Sequence, residues 1–534
     1  MSDRNADFYV QDVDFGSAYN PMQAPFHLSY VAATQGFAPL FDPEDLTYCD
    51  LGCGNGMTLN GLAAAHPSSR FIGIDFNAQH IEQARQLARA AGLGNVEFHE
   101  ASFEALERLD LPQFDFVAMN GIYSWLHPKL VASAIDFLEL HLKSGGLFVV
   151  EYLTQPGSAS VAPMWNLMRA ITSHVEGSPV ERAAGGLEAL VKLRQNNARY
   201  FTANPRQAGH IDQMDAQNAR DDRILNWVAH ASLADNWHPK YFTEVADELG
   251  RAQLGYVGSV NLAQNDLGVV IPPKLREMFD ELKDAGQIEL LKDFILDQSQ
   301  RTDVFSKDAA PDPEGARRFL SERVHLLPVT GLDEALCGLS RMGRQVYGPD
   351  KTLYKRMIEL IHAAGRTLSL GEIVSDPQLA ESDLETRWQA LARIVLTSHY
   401  QLGESARSFP VPEGTDRRWK LPLDYNRIML ERSLTQLERS SLVCGSGAGV
   451  PLHGIDALFL WVQLERDEAD RVAEIRSRLA GHDGLILIDG QPTSPDWITD
   501  VQIEDGLDQF QRIRLPVLAK LGVIEPEKSP ANGD

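Results

Sequence analysis

Cysteine and long apolar runs are scarce in this chain of 534 residues. The four cysteines are Cys49, Cys53, Cys337 and Cys444, and no two of them form a C-x-x-C pair. The sequence therefore predicts neither a disulfide framework nor a zinc site, and we expect no bound metal. The most apolar stretches, such as 455–464, are shorter than the roughly 20 residues that a membrane span needs.

Basic residues are also few, because 49 Lys and Arg stand against 74 Asp and Glu, for a formal net charge of -25. Nucleic-acid binding draws on Lys and Arg contacts to phosphate, and the chain has no long basic cluster, so nucleic-acid substrates are disfavoured. The segment Met1 to Phe15 is polar and acidic, without a basic stretch followed by an apolar one. We expect a reducing, cytoplasmic protein.

Strand and helix patterns alternate over residues 46–155, which predicts a doubly wound, Rossmann-like parallel sheet with helices on both faces. The first predicted strand ends at Asp50, and the other predicted strands cover 70–75, 96–99, 114–119 and 147–153. The predicted helices run from Met57 to Ala65, 78–91 and 128–142, the last one stopping at Gly145-Gly146.

The remaining chain reads mainly as helix. Residues 158–235 show no strand pattern, and strand-like runs return at 255–260 and 302–305. The segment 309–315 resembles a linker, and the three helical patterns followed by extended chain beyond it resemble a winged helix. The predicted regions are an N-terminal arm over the cofactor site (1–45), the core (46–155), a helical insertion (156–235), a return to the sheet (236–308) and a C-terminal domain (316–525).

A glycine-rich turn follows the first predicted strand: Asp50-Leu51-Gly52-Cys53-Gly54-Asn55-Gly56. Glycines let a ligand approach the backbone closely. The spacing G-x-G-x-G differs from the G-x-G-x-x-G that holds a pyrophosphate. Asp50 would repel phosphate and suits a cationic ammonium group. The turn therefore indicates S-adenosylmethionine, which carries an ammonium and a sulfonium and no phosphate.

Acidic and aromatic residues follow the next strands. Asp75 ends the second strand, where an acid accepts hydrogen bonds from ribose hydroxyls, and Phe76 follows it. Ser102 and Phe103 follow the third strand, at the usual position of the adenine edge. Asn120 opens the loop after the fourth strand, and it completes the predicted cofactor contacts.

That loop, residues 120–128, should face the transferable methyl group, because ligands lie at the carboxyl ends of parallel strands. It lacks the Asn-Pro-Pro-Tyr with which some N-methyltransferases grip a planar nitrogen. Its aromatic residues Tyr123 and Trp125 could instead enclose a sulfonium or an alkylammonium by cation–π attraction. Packing in the core is the alternative role for both side chains.

These features together resemble a bacterial group of class I methyltransferases that carry a methyltransferase regulatory region. The group includes the rickettsial lysine methyltransferases that modify outer-membrane proteins. The resemblance covers residues 15–310 well, and its motifs are Asp50–Gly56, Asp75, Gly121–Trp125, the arm Tyr19…Pro25-Phe26-His27, and Leu291-Lys292-Asp293-Phe294…Arg301-Thr302. It implies methyl transfer, with the arm around Tyr19, Phe26 and His27 closed over the cofactor.

A lysine acceptor must lose a proton before it attacks a methyl group, since its reference pKa is about 10.4. The candidates for assisting that step, or for contacting the acceptor, are Tyr123, Trp125, Tyr152, His27, Glu151 and His230. Protein-lysine methylation is the first hypothesis. Methyl transfer to a small metabolite, with the insertion as a lid, and a non-catalytic cofactor-binding protein are the alternatives.

Asp75→Ala should weaken binding of S-adenosylmethionine, because it removes the acceptor for the ribose hydroxyls. Isothermal titration calorimetry on both proteins measures this loss. Equal affinities would remove the ribose assignment.

Overall fold

The computed structural model describes residues 18–40, 42, 44–218, 223–234, 236–308, 310–341, 351–407, 419–436, 440–452, 454–466, 468–480, 486–488 and 491–527. Its centre is a seven-stranded sheet. The strands are β1 (Thr47–Leu51), β2 (Arg70–Asp75), β3 (Val96–Glu100), β4 (Phe114–Met119), β5 (Leu142–Leu153), β6 (Leu254–Ser259) and β7 (Gln300–Lys307).

The strand order is β3-β2-β1-β4-β5-β7-β6. Strands β1 to β5 are parallel, as predicted, whereas β7 runs antiparallel to both β5 and β6. The sheet is therefore mixed rather than wholly parallel. The order reverses between β1 and β4, and ligands bind at such a switch point.

Helices cover both faces of the sheet. They are α1 (Pro25–Thr34), α2 (Met57–Ala65), α3 (Ala78–Ala90), α4 (Pro128–His141), and, later in the chain, α10 (Phe242–Gly250), α11 (Leu267–Val270) and α12 (Ala285–Leu296). Neighbouring residues of a strand point to opposite faces. Tyr48 thus packs in the same core as Leu62 of α2, while Cys49 packs with Leu138 of α4.

The insertion between β5 and α10 is a separate helical layer, as predicted. Its helices are α5 (Ala162–Thr172), α6 (Pro179–Gln195), α7 (Arg199–Ala203), α8 (Pro205–Asn218) and α9 (Arg223–Leu233). They enclose a small core of their own around Trp165, Met168 and Leu187. This layer lies over the carboxyl ends of the strands, where its side chains line the main cavity.

The structure corrects two predicted boundaries. The strand predicted at 147–153 already begins at Leu142, because Leu142 pairs with Phe114 of β4 directly after α4 ends at His141. Residues 313–315 of the expected linker are helical, since Asp312 caps a helix that begins at Pro313. Before α12, Pro273–Phe279 forms a separate 3-10 helix.

The C-terminal region is mainly helical, as predicted. Within the described residues its helices are α13 (Pro313–Arg323), α14 (Leu332–Arg341), α15 (Thr352–Ala363), α16 (Leu370–Val374), α17 (Leu384–Val395), α18 (Asp424–Gln436), α19 (Gly454–Glu465), α20 (Arg471–Ala480), α21 (Asp500–Gln509) and α22 (Leu515–Lys520). Helices α15 to α17 are followed by an extended segment, the predicted order.

Short strands accompany these helices. They are β8 (His325–Pro328), β9 (Leu368–Ser369), β10 (Tyr400–Gly403), β11 (Trp419–Lys420), β12 (Ser440–Val443), β13 (Gly449–Leu452), β14 (Ile486–Ile488), β15 (Gln491–Thr493) and β16 (Glu525–Pro526). Strands β8, β9 and β10 form an antiparallel sheet in the order β10-β8-β9.

The C-terminal region forms hydrogen bonds with the arm and with the helix that follows the glycine turn. The hydroxyl of Tyr425, in α18, donates a hydrogen bond to the carbonyl oxygen of Met57, the first residue of α2, at 3.0 Å. Tyr19 in the arm donates to the carbonyl oxygen of Gly447. Both tyrosines are buried in the core that contains Leu62. The two halves of the chain therefore share one core.

A buried cluster of charges lies beside β5 and β7. The Arg301 guanidinium contacts Asp303 at 2.6 Å, Glu289 at 2.6 Å and Asp293 at 2.7 Å. Lys292 pairs with Glu289. Because Arg301 is fully buried, it compensates Asp293 and Asp303 and shares Glu289 with the buried Lys292.

Arg301→Met should lower the free energy of unfolding by about 3–5 kcal/mol, because removing one partner leaves buried charges unpaired. Urea denaturation measures the loss. The matched control is Arg70→Met, whose pair with Glu97 is about half exposed and should change stability by less than about 1 kcal/mol. Equal effects of the two variants would contradict a structural role for the cluster.

Candidate active site

One cavity of about 1280 Å³ opens at the carboxyl ends of the parallel strands. Its floor comes from the turn after β1 and the ends of β2, β4 and β5. Helices α5, α8 and α9 of the insertion supply the facing wall, with Trp165, His210 and Trp227. The cavity thus lies at the switch point of the sheet and is closed over by the helical layer.

The glycine turn lines this cavity with its backbone. Gly52, Gly54 and Gly56 have φ values of 79°, 53° and 69°, which other residues adopt only at a steric cost. A Cβ on Gly54 would meet nothing within 4 Å, whereas one on Gly52 would lie 2.4 Å from the Ile122 side chain. Gly52 therefore permits packing against the 120–128 loop, and Gly54 leaves open space for a ligand.

Asp75 joins the turn to β2. Its Oδ2 accepts a hydrogen bond from the Gly54 backbone N–H at 2.9 Å, and Oδ1 accepts from Asn77 N–H at 2.9 Å. A carboxylate can accept about four hydrogen bonds, so Asp75 can also accept from hydroxyl groups of a ligand. It lines the cavity, as the predicted ribose contact requires.

Asp50 is the second buried carboxyl group at the cavity and is 5% exposed. Burial, followed by the nearby charge of Asp75, raises its pKa to about 7. A cationic ligand group would favour the ionised form, because opposite charges lower a carboxyl pKa. Asp50 and Asp75 therefore favour a positively charged ligand group at this end of the cavity.

Apolar and polar groups alternate along the rest of the predicted cofactor region. Phe76 is 39% exposed and lines the cavity together with Ser102 and Phe103. Asn120 also lines it, and its Oδ1 accepts a hydrogen bond at 3.2 Å from the side chain of Asn20 in the arm. The arm therefore closes one side of the cavity through Asn20.

Most of the predicted site residues line this cavity together. They are Asp50, Gly52, Cys53, Gly54, Asn55, Asp75, Phe76, Ser102, Phe103, Asn120, Trp125 and Glu151. Six others do not line it: Gly56, Tyr19, His27, Tyr123, Tyr152 and His230.

The two phenols bond to carboxylates inside the protein. The hydroxyl of Tyr123 donates to Glu248 at 2.6 Å, and that of Tyr152 donates to Asp303 at 2.7 Å. Burial, followed by these carboxylates, raises the pKa of each tyrosine. Both phenols stay protonated with their hydroxyl protons engaged, so neither is available as a base.

The arm residues His27 and Tyr19 also have structural contacts. His27 is partly buried, and its Nε2 lies 2.9 Å from the carbonyl oxygen of Val260, the residue after β6. Burial lowers the pKa of its ring. Because Tyr19 bonds to Gly447, these two residues anchor the arm to the sheet and to the C-terminal region.

Glu151 is the candidate base that does line the cavity. Burial raises the pKa of its carboxyl group, and a hydrogen bond with the Gln300 side chain partly opposes that shift. Gln300 lines the cavity as well. The residue stands at the end of β5, one position before the buried Tyr152, so strand alternation explains why one faces the cavity and the other the core.

Tryptophans of the insertion were missed by the sequence reasoning. Trp165, Trp227 and Trp237 line the cavity opposite Trp125. A single-sequence pattern shows Trp165 and Trp227 as members of helical stripes, where core packing is the usual role. The signal that could have identified these residues was the presence of tryptophan-rich helices in a chain that also carries a cofactor motif.

The site fits S-adenosylmethionine in three respects. The backbone at Gly54 is open to a ligand, the Asp75 carboxylate lines the cavity where it can accept from ribose hydroxyls, and the Asp50 carboxyl group suits an ammonium. Within the described ranges, no group of three His, Cys, Asp or Glu side chains could hold a metal ion. No helix in those ranges is long and apolar enough to cross a membrane.

Two family models match the chain. One, described as a methyltransferase domain, matches residues 42–219. The other, described as a predicted methyltransferase regulatory domain, matches residues 225–307. The first spans β1 to β5 with most of the insertion, and the second spans α10 to β7. The buried charge cluster therefore lies within the matched regions, and so do the residues that line the cavity, apart from those of the arm.

Relatives extend the match. An uncharacterised protein of Synechocystis is 26% identical over 525 residues, 96% of this chain and 99% of its own length. Trans-aconitate 2-methyltransferase of Azoarcus is 30% identical over 206 residues, 36% of this chain and 74% of its own length. The structure of Rickettsia typhi PKMT2 in complex with AdoHcy has a TM-score of 0.68 at 16% identity, covering 96% of this chain and 100% of that one.

The predicted resemblance, the Rossmann-like methyltransferase fold and the cofactor are thereby confirmed. The Rickettsia typhi structure shares the fold over nearly the whole chain, including the C-terminal half. The catalytic sheet, its acidic glycine turn and the regulatory region occur in one polypeptide. The chain belongs to the class I S-adenosylmethionine-dependent methyltransferases.

Proposed function

We propose that this methyltransferase modifies lysine side chains of proteins. The observation that carries the proposal is the composition of the cavity beyond the cofactor residues. There, Glu151 is a half-buried acid, and indole rings of Trp125, Trp165 and Trp227 share the same space. A carboxylate and aromatic faces both attract an alkylammonium group.

The chemistry needs a neutral amine. Bound S-adenosylmethionine supplies an electrophilic methyl group, and the acceptor nitrogen must first lose its proton. Glu151 accepts that proton from the ammonium, and its raised pKa makes it a stronger base than an ordinary glutamate. The tryptophans exclude water and hold the alkyl chain in line, which contributes through orientation.

The size of the protein supports a macromolecular acceptor. The insertion and the C-terminal region together provide surface that a small metabolite does not require. The Rickettsia typhi protein that shares this fold over 96% of the chain bears the name PKMT2, and the motifs of the arm and the tyrosine-serine-tryptophan loop resemble the lysine-modifying group.

Methyl transfer to a small acid is the second candidate, favoured by the similarity to trans-aconitate 2-methyltransferase. An anionic acceptor needs a cation near the transferable methyl. The Lys and Arg side chains that line the cavity within the described residues are Arg108 and Lys129. Lys129 already pairs with Glu104 at 2.7 Å, and Arg108 follows β3, the strand at the predicted adenine edge. This distribution favours the amine.

Incubation with S-adenosylmethionine labelled in its methyl group and a host lysate separates the candidates. We expect acid-stable label in protein bands, with methyl-lysine after hydrolysis. Label confined to small molecules would support the metabolite reading instead. A complete lack of label in both fractions would contradict both.

Glu151→Gln should lower kcat by about 100-fold at pH 7.5 with little change in cofactor affinity, because the variant cannot accept the proton. Steady-state rates on the labelled protein substrate and calorimetry with S-adenosylhomocysteine measure the two effects. Glu188→Gln is the matched control, since Glu188 is exposed on the insertion and pairs with Lys192. An unchanged kcat in Glu151→Gln would exclude Glu151 as the base.

Cofactor affinity should fall on acidification. With the pKa of Asp50 at about 7 in the free protein, acid converts its carboxylate to the neutral form, which cannot pair with an ammonium. Binding of S-adenosylhomocysteine should therefore be about eightfold weaker at pH 6 than at pH 7.5. Asp50→Asn should bind weakly at both values and lose most of that dependence. A pH dependence that persists undiminished in the variant would assign it to another group.

A further inference from the structure

The insertion presents three aromatic rings to the cavity in an arrangement that the proposed proton transfer does not use. They are Trp165 of α5, His210 of α8 and Trp227 of α9. The Trp165 and Trp227 ring centroids are 6.4 Å apart with planes at 73°, and the Trp165 and His210 centroids are 6.4 Å apart with planes at 61°. We call these three rings the insertion cage.

The exposure of the rings indicates a recognition surface. Trp165 is 3% exposed and fixed in the insertion core, whereas Trp227 is 43% exposed. A large apolar side chain that remains exposed inside a cavity has a face free for a ligand. Three elements of the insertion, α5, α8 and α9, converge to place these rings together.

The charge around the cage favours a cation. His210 has a lowered pKa, caused first by burial and then by Arg206, so the ring is neutral at neutral pH. Arg206, one turn away on α8, is paired with Asp297. Glu151 contributes a carboxyl group to the same cavity. Rings without a competing positive charge attract an ammonium by cation–π interaction.

We propose that the insertion cage binds a methylated ammonium group. This inference deepens the proposed amine methylation and rests on it for the source of the ligand. Walls of indole and imidazole at steep mutual angles contact several methyl groups of one cation at once. A methylated ammonium is more easily desolvated than –NH₃⁺, and aromatic cages recognise it on that basis.

Choline and its neutral isostere 3,3-dimethylbutan-1-ol test the cage directly. Calorimetry is done on the whole chain with saturating S-adenosylhomocysteine, so that the ammonium position of the cofactor is filled. We expect choline to bind about five- to tenfold more tightly than the alcohol, because shape is held constant and charge alone differs. Equal affinities of the two compounds would overturn the proposal.

Trp227→Leu should weaken choline binding by at least about fivefold and leave S-adenosylhomocysteine binding unchanged, which also reports a folded site. His210→Leu is the second variant and should weaken choline less. The control is Trp497→Leu, because Trp497 is 76% exposed in the C-terminal region and does not line the cavity. Undiminished choline binding in both cage variants would refute the assignment.

Two sources could supply the methylated ammonium, a lysine side chain or a free quaternary amine. The N-acetyl, N-methylamide derivative of trimethyl-lysine distinguishes them in the same titration. Tighter binding of this derivative than of choline would assign the cage to a protein side chain, and the reverse to a small molecule. Failure of the lysate labelling with intact choline binding would remove the proposed function and leave the cage.

Discussion

Two carboxyl groups buried side by side at the ends of adjacent strands constrain this structure. Asp50 and Asp75 are each less than a tenth exposed, and burial raises the pKa of both. The protein stabilises Asp75 through backbone N–H groups of the glycine turn and of Asn77. Within the described residues, Asp50 accepts no comparable backbone hydrogen bond, so its charge depends on what enters the cavity.

The preference of these two acids for a cation explains the roles of the glycine turn, the arm and the insertion. The glycines are needed because the backbone between the two acids must turn with positive φ and still expose Gly54. The arm and the insertion are needed because a desolvated cavity strengthens the attraction between acids and a cation. The acids at one end of the cavity favour a cation, and the other end has aromatic walls. Under the proposed function, both ends attract a positively charged group.

The sheet was predictable because its signals are local. Helix α2 has the predicted bounds, and β2 and β4 match their predicted ranges. The direction of β7 was not predictable, since a strand pattern carries no orientation. The predicted start of β5 at Leu147 was wrong, because Leu142 already pairs with Phe114 and the strand continues through Gly145 and Gly146.

The cofactor residues were predicted better than the acceptor residues for a similar reason. Asp50, Gly54 and Asp75 follow strands directly, so their position is fixed by the sheet. Tyr123 and Tyr152 also follow or end strands, yet their rings turn toward Glu248 and Asp303, which lie more than 100 residues away in the chain. Trp165 and Trp227 reach the cavity through the folding of the insertion, which no local pattern reports. The residues before Ala18 and Ala309 of the expected linker lie outside the described residues.

The hydrogen bond from Tyr425 to the Met57 carbonyl has a consequence for how the chain can be divided. The family models end at residue 307, but a fragment that ends there would leave Leu62 and the rest of the outward face of α2 without the side chains that cover it. The helix that begins at the cofactor turn is thus completed by residues more than 350 positions further on. The catalytic and C-terminal halves share one hydrophobic core, so we expect substitutions in the C-terminal half to change cofactor affinity.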